Sequence, residues 1–172
     1  MNQLSERPMS LIHVEFEELY QRHLCRHSQF GINVLHLIGL WGIWYSFYGI
    51  VHWFIPSPWI TIALGSSFLI LVAPNLPILV LVSTALFVAG VCASAYYVSL
   101  PWLWSYLIVF YLFYKIQIWS HQFYPIENDM TSFNQKYYPG ILRFFVLLLY
   151  EIPIVLRYLI FGLGQVNSAE DG

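Results

Sequence analysis

Six histidines, at positions 13, 23, 27, 36, 52 and 121, are the residues of this chain best suited to chemistry. His23 and His27 stand four apart, which on a helix puts both imidazoles on one face with Tyr20 a turn earlier. A transition metal needs convergent nitrogen donors, and two such rings make half a site. Taken alone, the signal is weak, since paired histidines on an interfacial helix are more often ordinary surface residues. His36 follows Asn33 by three residues, and His121 follows Gln117 by four. Those two are far apart in the chain, so only the fold can bring them to the first pair.

Other familiar chemistries are absent. There is no G-x-S-x-G elbow, Walker loop, G-x-G-x-x-G or H-E-x-x-H. Cys25, beside Arg26 and His27, has the cationic neighbours that lower a thiol pKa, but no motif that would make it a nucleophile. With only Cys92 besides, and that in an apolar run, there is no disulfide framework.

The elements that must position the histidines are apolar. Of 172 residues, 59% are hydrophobic, 19% aromatic and only 9% charged, against about 25% charged in a soluble domain. From His27 to Tyr114 there is no Asp, Glu, Lys or Arg. A helical crossing takes roughly 20 apolar residues, so this stretch holds about four. These features exclude a soluble enzyme and a secreted disulfide domain, and a net charge of −2 offers no basic patch for nucleic acid. The expectation is an all-α, polytopic integral membrane bundle with four to five membrane helices, forming one domain over residues 1–172.

Proline turns at Pro56-Ser57-Pro58, Pro74-Asn75-Leu76-Pro77 and Ser99-Leu100-Pro101 divide the core, 34–119, into Val34–Ile55, Trp59–Ala73, Ile78–Val98 and Trp102–Trp119. The second segment is short for a full crossing, so it either thins the bilayer or borrows residues from its turns. Before the core, 11–27 reads as an amphipathic interfacial helix, with Leu11, Ile12, Phe16, Leu19, Tyr20 and Leu24 on its apolar side. Residues 120–139 read as a polar loop, and 140–162 as a final hydrophobic helix carrying Glu151, Pro153 and Arg157. That last helix is free to cross, re-enter or lie at the interface. Met1–Ser10 has no apolar run, so no cleaved signal peptide is expected. Arg7, Arg22 and Arg26 before the first crossing, and Lys115, Lys136 and Arg143 after the fourth, favour a cytoplasmic N-terminus.

Four crossings between His36 and His121 return both to one membrane face, beside the helix with His23 and His27. Polar groups at the edge of an apolar bundle are costly without partners, so four histidines gathered there make a metal-site candidate. His52, about 24 Å along the helix from His36, belongs to the opposite face, and His13 lies too far from His23 to join them. Glu127 and Asp129 read as solvated loop charges. Glu151 reads as a salt-bridge partner of Arg157 or Arg143, or as the group that orients a ligating histidine through its second nitrogen.

Tyr20, His23, His27 and Asn33-Val34-Leu35-His36 run straight into a membrane helix, and Gln117-Ile118-Trp119-Ser120-His121-Gln122-Phe123-Tyr124 precedes Pro139 and a last apolar helix. In this layout the chain resembles the integral-membrane 2-hydroxy fatty acid dioxygenases of fatty acid α-oxidation. That family carries an Asn-x-x-x-His and a Gln-x-x-Gly-His-x-x-Phe-Glu type element. Here the Asn–His spacing is one shorter, Ser120 replaces the glycine and Pro125 stands where the acidic residue would follow. The resemblance implies a dioxygenase dependent on Fe(II), with His27, His36 and His121 as ligands and His23 and Tyr20 at catalytic positions. It also implies O2 and a long-chain lipid, a 2-hydroxy fatty acid shortened by one carbon, as substrates. Arg22, Arg26 and Lys115, near the same face, are then candidates to hold the carboxylate. The aromatic helices Trp41–Tyr48 and Trp102–Tyr114 are candidate walls for the chain. The alternatives are a desaturase-like diiron enzyme and a non-enzymatic lipid-binding or assembly protein.

Overall fold

The computed structural model describes residues 14–124 and 140–162, and all regular structure in them is helical. The elements are α1 (Phe16–Leu24), α2 (Phe30–Phe54), α3 (Pro58–Val72), α4 (Ile78–Tyr97), α5 (Leu103–Phe123) and α6 (Ile141–Arg157). A short 3-10 turn, Ala73–Asn75, extends α3, and a π turn, Tyr158–Gly162, extends α6. The prolines fall where their chemistry dictates. Pro58 opens α3, where its missing N–H costs nothing, and Pro77 directly precedes α4.

Four helices are long and apolar enough to cross a membrane: Phe30–Phe54, Pro58–Asn75, Ile78–Tyr97 and Ile141–Gly162. The short second segment does borrow its turn, since the 3-10 residues bring it to 18. α5 is not among the four, because its tyrosines, Lys115 and Gln117 lower its hydropathy. Its packing nevertheless runs the length of α2. Gly31, Gly39, Gly42 and Gly49 of α2 meet, in turn, Tyr124, Gln117, Phe113 and Tyr106 of α5. The numbers rise along one helix as they fall along the other, so the two lie antiparallel in close contact, with glycines making room for rings. At 21 residues α5 is about 31 Å long, matching a hydrocarbon core of about 30 Å. Where α2 crosses, α5 crosses with it.

α1 and α6 are the two-faced helices. α1 buries Phe16, Leu19, Tyr20 and His23 at helical spacing. It is shorter than the span 11–27: it stops at Leu24, and residues 1–13, with His13, lie outside the described residues. α6 buries Val146, Tyr150 and Ile152–Leu156, and Pro153 sits inside it without ending it. Both are fastened to one end of the bundle. Asn75, at the end of α3, accepts from the Val14 N–H at 3.2 Å and donates to the Tyr150 hydroxyl at 2.7 Å. Tyr158 donates its hydroxyl to the Ser28 carbonyl at 2.5 Å, and Arg157 pairs with Glu17 at 2.6 Å while stacking 3.9 Å over the Tyr20 ring. These partners of α6 all lie at the end of the bundle where α2 begins, so α6 packs across that end.

Candidate metal centre

Five elements deliver side chains to one cleft at this end, with about 220 Å³ of free space. α1 supplies Arg22 and His23, the turn after it supplies Arg26 and His27, α2 supplies His36, α5 supplies His121, and α6 supplies Glu151 with an apolar stripe. The ligating nitrogens of His27, His36 and His121 all lie within 4.8 Å of one another. Nitrogens bound about 2 Å from a shared ion stand about 3 to 4 Å apart, so a small inward settling would seat one.

The hydrogen bonds around the rings show which nitrogens face the gap. His36 Nδ1 donates to Glu151 Oε1 at 3.1 Å, which leaves Nε2 as its unprotonated donor to a metal. That Nε2 is buried with no hydrogen-bond partner, and so are both ring nitrogens of His27. Each such orphan costs about 1–3 kcal/mol, and a bound cation would satisfy the lone-pair nitrogen of each ring. Glu151 stands where the carboxylate of a carboxylate–histidine–metal arrangement would, and Gln117 Nε2 lies 3.4 Å from the same oxygen. Of the two roles open to Glu151, the orienting one is realised with His36, while Arg157 takes Glu17 as its partner.

His27 lies just beyond α1, not on it, yet the i,i+4 relationship survives. A turn in which the Arg26 and His27 N–H groups both bond the His23 carbonyl keeps the rings stacked, 4.2 Å apart and 10° from parallel. Asn33 holds this turn, donating to the carbonyls of His27 at 2.6 Å and Gln29 at 2.9 Å. With both amide hydrogens spent, its Oδ1 must accept from His23 Nε2–H at 2.8 Å. The role of Asn33 escaped sequence reasoning. The sequence signalled Asn33 only by its spacing to His36, which gave no hint of its bond to His23.

Burial disfavours the charged form of His23, His27 and His121, and a ligating imidazole must be neutral. Burial, and after it the neighbouring imidazoles, push His27 far below the ordinary histidine range, and burial pushes His23 down to about 3. Arg22, half-buried, is pushed down to about 10, first by burial and then by Arg143 and Arg26. The cleft therefore sets two arginines beside the histidines and the Glu151 carboxylate.

Not every expected site residue arrives. His23, His27, His36, His121, Arg22 and Arg26 line the cleft. Tyr20 points elsewhere, packed between Arg157 and Gly162. Lys115, under two helical turns before His121, projects over the Tyr111 ring at 5.4 Å and does not line the cleft. His52 sits at the far end of α2 beside Tyr96. Glu127, Asp129 and Lys136 lie outside the described residues. Of the expected aromatic walls, Trp44 and Tyr48 line a separate apolar cavity with Phe68, Phe87 and Ile152, and Phe113 and Tyr106 pack against α2, whereas Phe144, Leu147 and Leu148, which sequence reading passed over, do line the cleft. No protein-family model, curated protein or solved structure matches this chain.

Proposed function

We propose that this protein is a membrane-embedded, histidine-ligated non-haem iron oxygenase acting on a lipid, with a 2-hydroxy fatty acid as its substrate. The observation that carries the reading is the convergence of His27, His36 and His121 from three separate elements, with buried nitrogens that lack partners. Three imidazoles and one orienting carboxylate suit a single ion better than a diiron pair. Fe(II) as the ion and the 2-hydroxy acid as substrate come from the motif resemblance around His23–His36 and Gln117–Tyr124. With N-terminal arginines at the same end, we place this face in the cytoplasm.

Bound Fe(II) with open coordination positions supplies oxygen chemistry that side chains lack. The chain's own residues do the rest. His27, His36 and His121 hold the ion, and Glu151 fixes the tautomer of His36. Arg22 and Arg26 draw the substrate carboxylate to the floor of the cleft. The balanced reaction consumes one hydroxy acid and one O2, breaks the C1–C2 bond, and yields the acid one carbon shorter, CO2 and water.

The test is anaerobic purification, Fe(II) loading, and incubation with O2 and 2-hydroxypalmitate. A shortened acid with CO2 supports the reading. Iron-loaded protein that leaves the hydroxy acid intact would refute it.

A further inference from the structure

The walls of the cleft differ in chemistry. Arg22 and Arg26 enter from α1 and its turn, while Phe144, Leu147, Leu148 and Ile154 enter from α6. The α6 residues recur at helical spacing with Glu151 among them, so one stripe of that helix faces the cleft. From Glu151, which touches His36, the stripe runs about 10 Å back to Phe144. Apolar surface then continues outward over Phe145, Leu142 and Ile141, which are 48%, 41% and 78% exposed.

The direction of a chain is set by the walls. It cannot pass between α2 and α5, where glycines hold rings in direct contact. The arginines and histidines make the other walls polar, so the apolar side chains of α6 are the surface left for a chain whose head lies at the histidines.

We propose that the Phe144–Leu147–Leu148 stripe of α6 is the chain-binding track for a single-chain lipid acid whose head lies at Arg26 and the histidines. The proposal rests on reading the cleft as an oxygenase site and adds where the chain goes. The first carbons lie along α6, and the rest passes over Ile141 and Leu142 into the bilayer. Affinity then grows with chain length along the track and becomes flat beyond it.

The test compares anaerobic binding of 2-hydroxybutyrate and 2-hydroxyoctanoate, both monomeric in water, to the full-length, Fe(II)-loaded protein in detergent. A fully buried methylene is worth about 0.8 kcal/mol, near fourfold, so half-burial in an open groove gives about twofold per carbon and roughly tenfold or more between the acids. Leu148→Asn should reduce that ratio several-fold, whereas Leu107→Trp, on the exposed outer side of α5, should keep it. An unchanged ratio in Leu148→Asn, or a wild-type protein that binds both acids equally, overturns the track and leaves the oxygenase reading standing. Failure of both acids to bind iron-loaded wild type overturns both. A preserved chain-length ratio without turnover under O2 keeps the track and refutes only the oxygenase reading.

Discussion

Glu151 Oε1 accepts a hydrogen bond from His36 Nδ1 at 3.1 Å, joining residues 115 positions apart. The contact ties α6 to the start of α2 and leaves Nε2 as the His36 nitrogen open to a metal. Glu151→Gln retains an acceptor oxygen but loses the carboxylate charge beside the ring. Metal affinity should fall about 10- to 100-fold, the usual cost of losing such an outer partner. Chelator competition against the wild type measures it, and an unchanged affinity would sever Glu151 from the metal site.

Direct ligands should behave more severely. His27→Ala, His36→Ala and His121→Ala should each purify without stoichiometric iron, whereas His52→Ala, at the far end of α2 beside Tyr96, should retain it. Metal analysis of the four variants decides between a defined centre and adventitious binding, which would lower all four alike.

Acid should destabilise the metal-free protein. Folding lowers the His23 pKa to about 3, from an ordinary value near 6.5, because burial opposes the charged ring. Between those values the unfolded chain binds a proton that the native chain refuses. Stability from this group is therefore complete above about pH 6.5 and declines as pH falls toward 3, by about 1.4 kcal/mol per pH unit. Thermal melts of metal-free protein at pH 7 and pH 5 should show the drop. His23→Phe should lessen it, with His27, also held neutral by burial, supplying much of the remainder.

The α2–α5 seam should not tolerate added bulk. A Cβ at Gly42 would collide with the Phe113 ring and one at Gly49 with the Tyr106 ring, whereas Gly140 has open space. Gly42→Ala and Gly49→Ala should each cost about 1–3 kcal/mol, with Gly140→Ala near neutral. Melting temperatures in one detergent test this, and a neutral Gly42→Ala would mean that the helices are not held at this separation.

Cysteines placed at Ser28 and Gln122, in a background lacking Cys25 and Cys92, should react with an impermeant reagent from one side of the membrane. Cysteines at Ser57 and Ser99 should react from the other. Labelling of Ser28 and Gln122 from opposite sides would break the antiparallel pairing of α2 and α5 on which the histidine cluster depends.

The helical membrane bundle was legible from the uncharged run His27–Tyr114 and its proline breaks, because backbone in hydrocarbon must satisfy its own hydrogen bonds. Placement of His36 and His121 at one end was also legible, since a count of crossings fixes which face a residue meets. Side-chain direction was not. Tyr20 shares a helix with His23 yet turns to Arg157, and Lys115 shares one with His121 yet lies over Tyr111. Glu151 could have met Arg157 or His36, and only the passage of α6 across the end of the bundle decided it. The apolar track on α6 was invisible for the same reason. Leucine and phenylalanine read alike in lipid, core or cleft, and what distinguishes them is the surface that tertiary packing leaves uncovered.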